Sequence, residues 1–270
     1  MSTFKNKHIL ITGGAGGIGF LMGREALKCK AKKLIIWDIS EDNISNCLDS
    51  LSDYSTKRLF TYRVDIADPD QVYQTAEQVL ADHHHIDILI NNAGTVVGGN
   101  FSDHRRIDIE RLIRINLLGT MHTTRAFLDT MIDLEKGHIV NIASAAGRMA
   151  NPKMSVYAGS KWGVIGWSES LRLELESHSN INVTTVEPSY INTGLFKGVS
   201  PPLLTPLLDA EDIAKKIIQA VQKDKIHLRE PFMVKILPFL KGVLPARVFD
   251  FVAGRLFQVY HSMDTFEGRT

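Results

Sequence analysis

Cysteine is scarce in this sequence: Cys29 and Cys47 are the two among 270 residues, and they lack metal-ligand spacing. That argues against a disulfide-stapled secreted scaffold and for a reducing compartment. Charge of one sign is also missing. Lys+Arg 31 stand against Asp+Glu 30, so nothing points to a nucleic-acid partner. No stretch reaches the roughly twenty unbroken apolar residues needed to span a bilayer, and there is no internal repeat or low-complexity linker. The first strand is expected by residue 7, which leaves no room for a signal peptide. These absences predict a cytoplasmic chain that is not secreted. Its 44% hydrophobic content suffices for one well-packed α/β domain or two small ones.

What is present is glycine, concentrated over residues 7–19, KHILITGGAGGIG. An apolar run stops in glycines and resumes as a helical pattern at Ile18, Phe20 and Leu21. A strand that turns sharply into a helix brings bare backbone close to a phosphate, and the helix start aims free N–H groups and a positive dipole end at it. Residues 14–19 fit G-x-G-x-x-G, and Gly13, Gly17 and Gly19 fit G-x-x-x-G-x-G. A plain turn is the competing reading.

Downstream, strand-like and helical runs alternate. Lys33–Trp37 ends at Asp38, about twenty positions after the glycines, where a dinucleotide fold sets a carboxylate against the adenosine ribose. That carboxylate would repel a 2′-phosphate, which favours NAD over NADP; the alternative is a helix cap for the segment from Ser40. Residues 58–64, 86–90, 138–143 and 181–186 read as further strands, closing at Asp65, at Asn91-Asn92-Ala93-Gly94, at Ser144 and at Glu187-Pro188. Residues 69–82, 105–133 and 155–176 read as helices. The alternation predicts a doubly wound parallel sheet, a Rossmann fold, with ligands at the strand carboxyl ends. His83, His84 and His85 are consecutive and cannot all face one ion from a helix. They are read as a solvated helix end, and no metal is expected.

Tyr157 and Lys161 lie four apart on one helix face. A tyrosine with an unperturbed pKa of about 10 is a poor base at neutral pH. A neighbouring ammonium favours the phenolate, and a serine hydroxyl such as Ser144 can hold a substrate oxygen beside it. Such a set suits proton removal from an alcohol as hydride leaves its carbon. Tyr-x-x-x-Lys alone could equally be a surface pair. Asn116, between Ile115 and Leu117, is either a structural bridge or part of a site.

Together these pieces resemble the short-chain dehydrogenase/reductase family over about residues 5–200. Thr12-Gly13-x-x-x-Gly17-x-Gly19 is similar to its cofactor loop, Asn91-Asn92-Ala93-Gly94 to its strand-end motif, and Asn116, Ser144, Tyr157 and Lys161 to its catalytic tetrad. The resemblance implies Tyr157 as general acid/base and Ser144 as the group orienting the substrate oxygen. Lys161 would bind the nicotinamide ribose and tune Tyr157, and Asn116 would hold a water in a proton relay. It further implies a cofactor site of Gly13, Gly17, Ile18, Gly19, Asp38, Asp65, Ile66, Asn92, Ala93, Gly94, Ile115, Tyr157, Lys161, Pro188, Ile191 and Thr193. Asp65 would reach the adenine, and Ile191 and Thr193 the carboxamide end. Pro188 is followed by Ser189 where the family commonly has glycine, which puts the local turn in question. Leu34–Ser40 and Glu187–Phe196 look most like the branch acting on retinoids, 17β-hydroxysteroids and other lipophilic alcohols.

Beyond residue 194, residues 195–208 hold three prolines and several leucines, which suits an apolar lid. Residues 232–260 carry two apolar helical runs, Phe232–Leu240 and Val248–Tyr260, punctuated by Lys235, Lys241, Arg247 and Arg255. The division expected is 1–230 as catalytic domain and 231–270 as an apolar extension. Three readings of the extension stay open: a substrate-pocket wall, a subunit interface, or peripheral contact with a membrane. The expected activity is NAD-dependent interconversion of a lipophilic alcohol and its carbonyl, in a homo-oligomer such as a dimer or tetramer. A non-catalytic NAD-sensing protein and an enzyme of small polar alcohols are the alternatives, and an epimerase or dehydratase usually needs a larger C-terminal substrate domain.

Overall fold

Seven short runs become the seven parallel strands of one sheet, ordered β3-β2-β1-β4-β5-β6-β7. They are β1 (His8–Thr12), β2 (Lys33–Asp38), β3 (Leu59–Arg63), β4 (Ile88–Asn91), β5 (Gly137–Ile142), β6 (Ile181–Pro188) and β7 (His227–Glu230). The computed structural model describes residues 2–54, 57–203 and 205–268.

The strands alternate their side chains between two helix-covered faces, because successive residues of a strand point to opposite sides. Ile9, Ile11, Leu34, Ile36, Ile88 and Ile90 face one layer, formed by α1 (Gly17–Lys28), α2 (Glu41–Ser50) and α7 (Ala210–Gln222). Leu10, Ile35, Trp37, Leu89 and Ile139 face the other, formed by α3 (Pro69–His83), α5 (Thr120–Asp133) and α6 (Ser155–Glu174). Both faces being buried explains why IDILI and KLIIW read as nearly continuous apolar runs. Each fully buried Ile or Leu contributes about 1.5–3 kcal/mol, so the sheet is a rigid platform. Its carboxyl ends deliver Thr12, Asp38, Asn91, Ile142 and Pro188 to one rim.

Several expectations change. The helix over 105–133 is three pieces: α4 (Arg106–Ile113), a π-helical turn (Arg114–Gly119) and α5. A wide turn of this kind inserts a residue into the helix and is often found at functional sites; here it carries Ile115 and Asn116. His83 is not solvated. It is buried, with Lys33 Nζ 2.9 Å from Nδ1 and the Tyr62 hydroxyl 3.1 Å from Nε2. Burial first, then the Lys33 charge, brings its pKa down to about 4. His84 is exposed and His85 partly so. His85 stacks on His8 at 4.7 Å, with Asp87 beside them, but parallel rings cannot both aim in-plane lone pairs at one ion, and Asp87 already binds Lys7 at 2.9 Å.

Beyond the six expected strands the chain adds α7 and β7, the latter a four-residue strand with three polar side chains. The extension folds as α8 (Phe232–Val243) and α9 (Ala246–Phe251), with a π-helical turn (Val252–Leu256) and a 3₁₀ turn (Val259–His261) replacing the expected single second helix. Leu204 in the expected lid and residues 269–270 of the extension lie outside the described residues.

Candidate active site

The glycine turn is shaped by close approach. Gly13 has φ +60, and a Cβ there would lie 2.9 Å from the Ala93 backbone; a Cβ on Gly19 would collide with the Gly13 carbonyl. Neither site admits a side chain without moving backbone. Asn92 pins this turn to the end of β4: its Nδ2 donates to the carbonyls of Thr12 and Gly13, both at 3.0 Å. The Thr12 hydroxyl accepts from the N–H groups of Asn92 and Ala93 at 3.0 and 3.1 Å.

Around the turn runs an open groove of about 430 Å³. Its wall includes Gly13, Gly17, Ile18, Asp38, Asp65, Ile66, Asn92, Ala93, Gly94, Ile115, Ser144, Tyr157, Lys161, Pro188, Ile191 and Thr193. Gly19 and Asn116 are not on that wall and stand behind it. At one end, Asp38 accepts from the N–H groups of Ala15 and Ser40 at 3.1 Å each, which fixes its carboxylate at the rim. The cap of α2 is Ser40, which accepts from the Asn43 N–H at 3.2 Å, so Asp38 is not that cap. Asp65 accepts from the Ala67 N–H at 2.9 Å. An elongated, glycine-floored groove with a helix start and a carboxylate at one rim fits a nicotinamide dinucleotide. Trp37, Ser40, Asn43, Thr95 and Arg111, none of them among the site residues that the resemblance implies, also line it. Of these Arg111 is a cation on exposed helix surface, with nothing in its local pattern to distinguish it.

At the other end Tyr157 and Lys161, one turn apart on α6, are both buried. Burial pushes the Tyr157 phenol well above its ordinary value, with the Ser144 hydroxyl pulling the other way. This corrects the expectation that the lysine would lower it: in so dry a site the cost of an anion wins. Burial also lowers Lys161 to about 8, and its Nζ donates to the Ile142 carbonyl at 2.8 Å. Ser144 starts a 3₁₀ turn (Ala145–Gly147), its Oγ accepting from the Ala146 N–H at 3.1 Å. Asn116 is almost fully buried: Oδ1 accepts from the Thr95 N–H at 2.8 Å, and Nδ2 donates to the Thr95 carbonyl at 2.9 Å and Ser160 Oγ at 3.1 Å. It locks the strand-end loop onto α6. Ser189 donates its N–H to the Glu230 carbonyl at 2.8 Å and is not among the positive-φ residues, so the turn does not require glycine.

Ser144 also opens a second, narrow cavity of about 90 Å³. Its wall is largely apolar, from Met149, Met154, Tyr190, Phe196, Pro202 and Leu203 on one side and Met233, Val234, Leu237, Phe249 and Val252 of the extension on the other. Ser189 and Phe196 line both spaces. The opposite side of the extension exposes Phe232, Phe239, Val243 and Phe251. Among the described residues no helix is long and apolar enough to cross a membrane.

A family model described as short chain dehydrogenase matches residues 7–203. Epidermal retinol dehydrogenase 2 of Mus musculus is 32% identical over 265 residues, covering 97% of this chain and 85% of the relative. Estradiol 17-beta-dehydrogenase 11 of Macaca fascicularis is 31% identical over 241 residues, covering 88% and 79%. A solved short chain dehydrogenase/reductase from Burkholderia phymatum in complex with NAD superimposes with a TM-score of 0.79 at 23% identity, over 88% of this chain and 93% of that one. A short chain dehydrogenase from Burkholderia cenocepacia J2315 in complex with NADP gives 0.75 at 22% identity, over 96% and 98%. At that identity the two structures speak for the fold alone, and between them they carry both dinucleotides. The family match over most of the chain, and relatives above 30% identity along nearly all of it, establish that this chain is an oxidoreductase of the short-chain dehydrogenase family, in its retinol- and steroid-dehydrogenase-like branch.

Proposed function

We propose that this protein interconverts a lipophilic alcohol and its carbonyl with NAD(H), Tyr157 serving as general acid/base. The observation that carries the proposal is that Ser144 belongs to both spaces: with Tyr157 and Lys161 it walls the groove, and it opens the apolar cavity. A carbinol carbon at that junction has proton-handling groups on one side and apolar walls around the rest of the molecule.

A bound nicotinamide would accept the hydride from that carbon, or return it. The chain handles the proton. In reduction the Tyr157 hydroxyl, kept protonated by burial, gives its proton to the carbonyl oxygen while the Ser144 hydroxyl holds that oxygen in place. In oxidation the phenol must first become an anion, and the Lys161 ammonium is the chain's own offsetting charge. Asn116, its amide engaged by Thr95 and Ser160, keeps the relay's geometry. Gly13, Gly17, Ile18 and Gly19 would take the pyrophosphate, Asp38 and Asp65 the adenosine, and Pro188, Ile191 and Thr193 the carboxamide end. Asp38, with a lone pair left on each oxygen, accepts from ribose hydroxyls and repels a 2′-phosphate, which supports NAD.

The extension, residues 231–270, acts as the substrate wall on its buried side. Its exposed Phe232, Phe239 and Phe251, with Lys235, Arg247 and Arg255 nearby, suit the edge of an anionic lipid surface. The test follows NADH absorbance with retinol, a 17β-hydroxysteroid, long-chain alcohols and short polar ones. Turnover confined to lipophilic members supports the reading. Turnover of small polar alcohols alone removes the lipophilic assignment, and silence with NAD bound favours a cofactor sensor.

A further inference from the structure

We propose that Phe196 is the specificity-determining residue of this site, a fixed aromatic partition that admits alcohols slender beside the reacting carbon and rejects bulky ones. The inference rests on the reading that the substrate spans the junction at Ser144. Among the described residues, Ser144, Ser189 and Phe196 are the three that line both the groove and the apolar cavity. Two of them are serines with small side chains, so the bulk standing at the passage is the Phe196 ring.

That ring is placed against the reacting group. It meets Tyr157 edge-on, with centroids 5.8 Å apart and planes at 81°, and the Tyr157 hydroxyl pairs with Ser144. Two further rings pack on it: Tyr190 at 5.1 Å and 75°, and Phe266 at 6.5 Å. Edge-to-face aromatic pairs at such separations are favourable beyond the area they bury, so three rings hold the fourth in one orientation.

The backbone next to Phe196 is fastened as well. The Lys197 carbonyl accepts from the Glu267 N–H, the Ser200 N–H donates to the Ser262 carbonyl, and the Leu203 N–H donates to the Phe257 carbonyl, each at 3.0 Å. Segments open readily where such ties are few. Here the C-terminal segment clamps the loop, which stands as a wall and not as a swinging lid.

The space beyond the partition limits what can pass. The cavity of about 90 Å³ is well below the roughly 300–1,000 Å³ of pockets that enclose a whole drug-sized ligand. The near end of an extended chain fits such a space. A carbinol flanked by a branch or a fused ring must first push the Phe196 ring off its three partners. The substrate class is therefore an alcohol, or its carbonyl, with an unbranched or flat chain beside the reacting carbon.

The experiment compares kcat/KM for 1-octanol and 2,2-dimethyl-1-hexanol, two primary alcohols of equal carbon number, using the full chain with NAD. A methylene that fits or misfits an apolar pocket is worth about tenfold or more, so the wild type should favour 1-octanol by at least that factor. Phe196→Ala opens the passage and should shrink the preference about tenfold, chiefly by a gain with the branched alcohol. Phe196→Leu should shift the ratio in the same direction, and takes the place of Phe196→Ala if that variant fails to fold. Equal handling of both alcohols by the wild type, or a ratio that the substitution leaves unmoved, overturns the proposal. If no alcohol is turned over, the reading of the enzyme fails separately. The two alcohols are then compared by the rise in Tm of the NAD-loaded chain. A rise confined to 1-octanol in the wild type and shared by both alcohols in the variant supports the partition; equal rises in the wild type, or none, overturn it.

Discussion

Arg148, at the end of the turn that Ser144 opens, places its Nε 2.9 Å from Oε2 of Glu187, the residue before Pro188. Arg229 reaches the same oxygen at 3.1 Å, and Arg148 also bridges to Glu169 at 2.5 Å. The pair ties the Ser144 turn to the end of β6, so two edges of the candidate site move as one.

The same pair sets an acid limit on stability. Burial alone would raise the Glu187 carboxyl, but His227, Arg148 and Arg229 outweigh it and hold the group at about 2. His227 Nδ1, though 3.1 Å from Oε1, lacks hydrogen-bond geometry, so the arginines carry most of the effect. A depressed carboxyl stabilises the fold above its unfolded value of 4.5, and that stability fades as pH falls from there toward about 2. Glu187→Gln is expected to cost about 3 kcal/mol at neutral pH and to flatten the acid limb of a urea-unfolding series. A variant within about 0.5 kcal/mol of wild type would show the pair to be a bystander.

Tyr157→Phe should lose at least about a hundredfold in turnover while keeping NAD affinity, the usual worth of a positioned acid/base. Because burial holds the phenol protonated, alcohol oxidation by the wild type should quicken with rising pH through the neutral range, and carbonyl reduction should change little. Turnover that survives the substitution removes Tyr157 from the role.

Asp38 is expected to set the cofactor. NADH should support turnover better than NADPH at equal concentration, and Asp38→Ala should narrow the gap, read as the ratio of the two kcat/KM values. Preference for NADPH in the wild type would mean that the carboxylate does not face the ribose.

Lys161 trades stability for its position. Its buried ammonium sits at about 8 against an ordinary 10.5. The unfolded chain therefore binds the proton more readily between those values, and the native state gains stability as pH rises across them, carrying the full penalty below about 8. Lys161→Met removes about 3 kcal/mol of penalty and gives back about 1 kcal/mol through the lost bond to the Ile142 carbonyl. At neutral pH it should melt a few degrees higher while losing activity. A lower Tm would mean that the charge is better satisfied than its burial implies.

Much of this was legible along the chain. The glycines at 13, 17 and 19, the polar ends of the apolar runs and the Tyr157–Lys161 spacing are local patterns: a turn without side chains, a strand buried on both faces and one helical turn each leave a signature within a few residues. The parallel sheet followed from alternation alone, as did the rim on which the candidate residues gather. β7 escaped because an edge strand of four residues, three of them polar, has too little apolar periodicity to register.

Tertiary packing decided the rest. Whether His83 is wet, whether the lysine or the burial governs Tyr157, and whether Asn116 hangs free or clasps Thr95 all depend on what distant segments bring alongside. So does the joining of Ser144 to an apolar cavity walled by residues some ninety positions later. Solvation and hydrogen-bond satisfaction depend on distances in space, and a sequence states only distances along the chain.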